Sequence, residues 1–216
     1  GPPMNIALIG ATGFVGTAVL TELLQRGHRV TVLARNPAKL SAREGLSVVA
    51  ADAQDAAQVA KAVAGHDAVV SAYNPGWSRP DIYDEFLKGT HAIYAGTRQS
   101  GVRRLLVVGG AGSLFVAPGV QLVDTPDFPA DYKQGALAAR EALNLIRGES
   151  TLDWTFLSPP ILLAPGARTG QYRLGVDAPL MNGDQPGGIS VADLAVAIVD
   201  ELETPRHVQQ RFTVAS

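Results

Sequence analysis

Asn5-Ile-Ala-Leu-Ile-Gly-Ala-Thr-Gly-Phe-Val-Gly16 sets the architecture expected of the whole chain. Ile6 to Ile9 is a short apolar run closed at once by glycine, which is how a strand buried on both faces of a parallel sheet reads. Gly10, Gly13 and Gly16 then follow at intervals of three residues. From Phe14 to Arg26 the apolar Val15, Val19, Leu20, Leu23 and Leu24 are spaced for one helical face. Strand, glycine turn and helix together present backbone N–H groups and a positive helix end to a diphosphate. In that reading Gly10 permits the sharp turn, Gly13 lets the backbone approach the phosphate, and Gly16 lets the helix pack close to the strand. A glycine turn also serves plain strand-to-helix connections; the strand before it and the helix after it favour a dinucleotide site. Its candidate residues are Gly10, Ala11, Thr12, Gly13, Phe14, Val15 and Gly16.

Working outward, His28 to Ala34 reads as the second strand, and Arg35 follows it 19 residues past Gly16. An NAD-specific site usually holds an acid there to bond the ribose hydroxyls, whereas an arginine pairs with a 2′-phosphate. The other reading is a solvated surface arginine. The register favours the phosphate, hence NADP(H) over NAD(H), with Lys39 adding charge. Leu46 to Ala50 is the third strand, and Asp67 to Ala72 the fourth. The end of the fourth, Ser71-Ala72-Tyr73, is expected to border the cofactor from the carboxyl edge of the sheet. Helices are expected over Asp55 to Val63, Asp84 to Gln99 and Asp131 to Arg147. Further strands are expected over Arg103 to Val108, Leu152 to Leu157 and Arg211 to Ala215. Leu114 to Pro129 reads as irregular, Thr169 to Gly175 as an edge hairpin, and Ser190 as the cap of a helix Val191 to Leu202, with Asp193 as the reciprocal cap. Strands alternating with helices, with no repeat and no linker, predict one doubly wound parallel sheet in a single domain over 4–216. Residues 159 to 185 are too few for a second domain and are expected to cover the substrate side.

Composition narrows the classes. With 216 residues, 46% of them hydrophobic, the chain can bury one sizeable core. A net charge of −2 gives no reason to expect a nucleic-acid partner. Cysteine is absent, which removes disulfides and thiolate chemistry and fits a reducing, cytoplasmic compartment. No apolar run approaches a membrane span, and no membrane partner is expected. Gly1-Pro2-Pro3 before Met4 reads as the remnant of a cleaved tag. His28, His66, His91 and His207 are scattered without ligand spacing, so no metal is expected.

Gly10-Ala-Thr-Gly-Phe-Val-Gly16, the Arg35 position, Asp67-Ala-Val-Val-Ser71, Leu106-Val-Val-Gly-Gly-Ala-Gly-Ser-Leu114 and Asp153-Trp-Thr-Phe-Leu-Ser-Pro-Pro160 together resemble one family. It is the NAD(P)H-binding, NmrA-like group of atypical short-chain dehydrogenase/reductases, which includes flavin reductase and biliverdin reductase-like proteins. The resemblance covers nearly the whole chain and implies a Rossmann fold. It also implies that Asp52 and Ala53 border the adenine, although Asp52 equally reads as a turn or helix cap. Gly109 and Gly110 would allow close approach of the nicotinamide ribose. Ser113 is the nearest match to the family's carbonyl-polarising serine, displaced by two or three residues. Lys133 could hold the ribose hydroxyls, or stand solvated at a helix start. Trp77, Phe115 and Pro159 are the candidate substrate contacts; Trp77 equally reads as a packed surface aromatic.

One departure matters. Ordinary members pair Tyr and Lys four residues apart, on one helical face, where the ammonium lowers the phenol pKa. Here Tyr73, Tyr83, Tyr94, Tyr132 and Tyr172 are followed four residues on by Trp77, Leu87, Arg98, Ala136 and Val176. Two functions accommodate the gap. A reductase of a flavin, quinone or similar conjugated small molecule needs no tyrosine acid, because hydride lands on a ring atom and the proton comes from solvent. A non-catalytic NADP(H) sensor would instead use the region around Trp77, Phe115 and Phe128 to contact a protein partner. A nucleotide-sugar epimerase is a third reading, disfavoured because 216 residues leave no room for its separate substrate domain. Neither the substrate nor the oligomeric state can be read from the residues.

Overall fold

The computed structural model describes the backbone of all 216 residues and every side chain but that of Lys39, so the charge expected of Lys39 lies outside the described residues. In chain order the elements begin β1 (Asn5–Ile9), α1 (Phe14–Gln25), β2 (Arg29–Ala34), β3 (Leu46–Ala50), α2 (Ala56–Val63), β4 (Ala68–Ser71), α3 (Ile82–Ser100) and β5 (Arg104–Val108). A small hairpin follows, β6 (Phe115–Ala117) with β7 (Val120–Gln121), and then α4 (Ala130–Ile146) and β8 (Asp153–Ser158). The last part holds β9 (Leu162–Ala164), β10 (Arg173–Gly175), β11 (Met181–Asn182), β12 (Gln185–Pro186), β13 (Gly188–Ser190), α5 (Val191–Glu203) and β14 (Gln210–Ala215).

Eight strands form the central sheet in the order β10-β14-β8-β5-β4-β1-β2-β3. All pairings are parallel except β10 with β14. The inner strands are apolar along their whole length because both faces are covered. On one face α1 and α5 pack together over Leu8, Val30, Val70, Leu106 and Phe212. On the other α2, α3 and α4 pack in series over Ile9, Val69, Leu105 and Phe156. This is the doubly wound, Rossmann-like fold expected from the alternation. No helix among the described residues is long and apolar enough to cross a membrane.

Local chemistry starts the helices where expected. Asp55 caps α2 by accepting from the Gln58 N–H at 3.1 Å, and Ser190 caps α5 by accepting from Asp193 at 3.0 Å. Three expectations need correction. The 169–175 stretch is not a hairpin; only Arg173–Gly175 forms a strand, antiparallel to β14. Asp193 makes no reciprocal cap, because its carboxylate accepts instead from the Thr169 and Gly170 N–H groups, at 2.8 and 2.9 Å, and from the Thr169 hydroxyl. The stretch from Leu114 to Pro129 is not wholly irregular, since it carries the β6–β7 hairpin.

Candidate functional site

β1 has β2 on one side and β4 on the other, so the chain runs outward from β1 through β2 to β3 and then crosses back to build the other side from β4. Loops diverge at such a point and leave a crevice beyond the carboxyl ends of the strands. The turn after β1 stands there. Gly10 has φ +85°, and a Cβ on it would lie 2.3 Å from the Ala72 carbonyl oxygen. A Cβ on Gly16 would lie 1.8 Å from the Gly10 oxygen. Both residues are glycine because the chain packs against itself. Gly13 is different. Its φ of −77° and ψ of 176° suit any residue, and its Cβ would meet nothing nearer than the Gly10 oxygen at 3.5 Å. No internal contact requires glycine at 13; its bare Cα leaves an open cradle facing out of the fold.

The N–H groups of Phe14, Val15 and Gly16 begin α1 without an acceptor among the described residues. No side chain caps this helix start. Free donors, a positive helix end and a cradle that a methyl group would fill suit a phosphate group, and the residues therefore fit the diphosphate of a nicotinamide dinucleotide. Around the turn, Ala11 is buried in the core beside α1, Val15 packs on it, and Thr12 and Phe14 are exposed. A groove lined by Thr12, Gly13, Phe14, Thr17 and Arg168 opens beside them.

Arg35 leaves the end of β2 exposed, with no ion pair or side-chain hydrogen bond among the described residues. Asp52 acts locally, accepting through its carboxylate from the Gln54 N–H at 2.9 Å, which closes the turn after β3. Ala53 packs against the core under α2. Ser71 is buried, and Ala72 packs on the α1 side. Tyr73 turns down onto α3, where a Cβ on Gly89 would lie 2.3 Å from its ring. Its hydroxyl accepts from the Gln54 amide at 3.0 Å and donates to the Glu85 carbonyl at 3.3 Å. Burial, with the charges of Glu85 and Asp52, pushes the Tyr73 phenol up; the Gln54 hydrogen bond and the Arg35 charge oppose that. Arg35, Asp52 and Tyr73 thus share one electrostatic neighbourhood at the ends of β2, β3 and β4.

The other half of the crevice departs more from expectation. A Cβ on Gly109 would lie 2.1 Å from the Phe156 ring, so glycine there accommodates a core side chain of β8. Gly110 faces Ala139 of α4 in ordinary contact. Ser113 is 3% exposed, and its Oγ accepts from Arg211 Nη1 at 2.8 Å. So placed, Ser113 anchors the buried Arg211 guanidinium, a structural role that the expectation did not include. Pro159 is buried directly after β8. Lys133 is exposed on the first turn of α4 without a partner among the described residues. Phe115 is 37% exposed on β6, and its N–H donates to the Asp177 carbonyl. Trp77 is partly packed, on α4, and partly exposed.

Arg211 ties this half together and carries no local signal in the sequence. From β14 its guanidinium reaches Ser113 Oγ, Ser158 Oγ at 3.2 Å and the Asp177 carboxylate at 3.0 Å. Burial draws its pKa down, and Asp177 opposes that. β14 is buried from Arg211 to Ala215, and the groups that make room for a buried guanidinium there come from positions far away in sequence. Gly135, the seat of Trp77, and Gln54, the partner of Tyr73, are equally silent, because their roles arise from residues far away in sequence.

A family model described as NAD(P)H-binding matches residues 10–205. The chain is 38% identical over 216 residues to the uncharacterized protein YwnB of Bacillus subtilis, covering 99% of each. Among solved structures, a Bacteroides thetaiotaomicron protein provisionally described as an epimerase superposes with TM-score 0.92 at 44% identity, over 99% of this chain and 97% of that one. A Streptococcus pneumoniae protein provisionally described as an NADH-flavin reductase superposes with TM-score 0.85 at 33% identity, over 99% of each chain. The match spans the open cradle at Gly13, the free helix start and the crevice at the switch point. The chain belongs to the NAD(P)H-binding family, whose members are oxidoreductase-like.

Proposed function

We propose that the protein is a reductase that uses NADP(H) in preference to NAD(H) and passes hydride to a flavin, quinone or other small conjugated acceptor. Bound in the crevice, the reduced nicotinamide would supply the hydride. The amides of Phe14, Val15 and Gly16 would hold the diphosphate, and the unpaired guanidinium of Arg35 would select the 2′-phosphate. Asp52, Ala53, Ser71, Ala72, Gly109 and Gly110 would wall the dinucleotide, with Lys133 at the ribose end. The small-molecule acceptor would meet the hydride beside α4.

The observation that carries this reading is the state of the tyrosines. Tyr73 has its hydroxyl committed to Gln54 and Glu85. Tyr94 is buried and donates to the Ala142 carbonyl at 2.8 Å, and burial pushes its phenol far up. Tyr172 donates to Asp200 at 2.6 Å. Tyr132 is exposed, with Ala136 one turn on. Tyr83 is partly buried against the core, with Leu87 one turn on. None of the five has a lysine one helical turn on to activate its phenol, so an acceptor that needs no protein acid fits best. The same lack argues against carrying over the epimerase description of the Bacteroides relative. The description of the Streptococcus relative supports the flavin. A cytoplasmic location is part of the proposal and rests on the cysteine-free composition.

The test is steady-state NADPH and NADH oxidation against a panel of flavins, quinones and aldehydes. Turnover with a flavin or quinone and not with aldehydes is expected. NADPH binding without oxidation by any of them would refute the reading in favour of a sensor.

A further inference from the structure

α4 carries more aromatic surface at the carboxyl edge than its packing needs. Trp77, on the loop after β4, is 48% exposed, and Tyr132, in the first turn of α4, is 53% exposed. Leaving two such rings in water forgoes some of the largest hydrophobic gains a side chain offers. They are held, not loose. The rings meet edge to face, with centroids 5.7 Å apart and planes at 83°. A Cβ on Gly135 would lie 2.3 Å from Trp77 Cζ3, so glycine at that position is what lets the indole lie on the helix. The loop is stiffened by the Asn74 carboxamide oxygen, which accepts from the Gly76 N–H at 2.7 Å, and by the Arg79–Asp81 pair at 2.8 and 2.9 Å.

The pair stands in line with the loop after β5. Gly110 abuts Ala139, Gly112 abuts Ala136, and Gly135 bears Trp77. Tyr132 follows one turn nearer the start of α4, about 10 Å along the helix from Ala139 by its 1.5 Å rise per residue. Exposed Arg79, Asp81, Asp131 and Lys133 lie within a few residues of the two aromatics in sequence. Two exposed rings held edge to face offer a flat aromatic surface that suits one planar ring system.

We propose that Trp77, seated on Gly135 and flanked by Tyr132, is a stacking platform for a planar fused-ring acceptor. This rests on the proposed reduction of a conjugated acceptor and narrows its class: a tricyclic isoalloxazine covers the indole, and a simple aldehyde leaves it bare. The platform binds and orients; it transfers neither proton nor hydride.

The probe is riboflavin, read by quenching of its own emission on addition of the full chain with saturating NADP⁺. NADPH oxidation is followed in parallel. The expected result is saturable quenching, with Kd raised about tenfold or more in Trp77→Leu, as for loss of a stacking ring. Gly135→Ala, which displaces the indole without altering it, weakens quenching in the same direction, and Trp77→Phe restores most of it. All three keep the parent's affinity for NADP⁺. Quenching without turnover supports the platform and refutes the reaction. Turnover of riboflavin with an unchanged KM in Trp77→Leu overturns the platform and spares the reaction. Absence of saturable quenching overturns the platform, as does self-association of the chain that Trp77→Leu abolishes.

Discussion

Replacing Gly13 with alanine separates a glycine kept for a ligand from glycines kept for the fold. At Gly13 the backbone angles are ordinary, and the new methyl would have 3.5 Å to its nearest neighbour. Two small effects then oppose each other. Losing glycine's freedom in the unfolded chain stabilises by about 0.4–1 kcal/mol. Alanine is a poorer helix N-cap than glycine, which costs a similar amount, roughly 0.5–1 kcal/mol. Net stability therefore stays within about 1 kcal/mol, a change in Tm of at most about 4 °C for a chain of this size. Binding responds differently, because the methyl enters the cradle and pushes a phosphate off the amides of Phe14, Val15 and Gly16. Each charge-assisted hydrogen bond lost costs about 1.5–3 kcal/mol, so Kd for NADPH rises roughly 10- to 150-fold. Gly16→Ala supplies the contrast: its methyl would sit 1.8 Å from the Gly10 oxygen, and the protein loses stability before affinity can be asked about. Calorimetric titration with NADPH and thermal melts of both variants read these effects directly. Parent-like affinity in Gly13→Ala, or a melt as low as that of Gly16→Ala, would refute the argument.

Three further outcomes follow from the same geometry. Arg35→Ala raises Kd for NADPH by roughly tenfold or more, the worth of one charge-assisted pair, and leaves NADH binding unchanged; equal losses for both cofactors would show that Arg35 selects neither. Ser113→Ala lowers stability by about 1 kcal/mol through loss of its bond to Arg211 yet preserves kcat, and a fall in kcat of about a hundredfold would show a catalytic role. Glu22, 3% exposed, is held below its ordinary 4.5 by the Arg168 guanidinium, against burial and with help from Arg26. The unfolded chain takes up that proton first as pH falls, so the stabilisation is complete above 4.5 and is lost below it, toward the folded value. Melts across that range should show the gap between parent and Glu22→Gln closing toward acid pH; a constant gap would mean that the carboxylate does not titrate as argued.

The strands and helices of the sheet were legible because each carries its signal locally. The apolar run Ile6–Ile9, the helical spacing from Val15 to Leu24, and the caps Asp55 and Ser190 need only near neighbours to act. Asp193 departs from its local pattern for the opposite reason. Its position three residues past Ser190 fits a capping box, and a strap 24 residues earlier in the chain took its carboxylate instead. The roles expected of Ser113 and Gly109 rest on likeness to a family, which carries no information on their neighbours in space: Arg211 from β14 encloses the one, and Phe156 from β8 fills the space beside the other.

The order of residues alone was enough for the alternation of strands and helices, the turn at Gly10 and the place of Arg35 at the end of β2, because backbone geometry and periodicity act over a few residues. It assigns a separate job to each of the three glycines, but not the atoms that each one meets. Gly10 and Gly16 answer to atoms of the folded chain, whereas Gly13 answers to none, and that distinction exists only once Ala72, Gly10 and the start of α1 are brought together. The same holds for Trp77 on Gly135 and Arg211 on Ser113: contacts between residues tens of positions apart are made by packing, which no local pattern encodes.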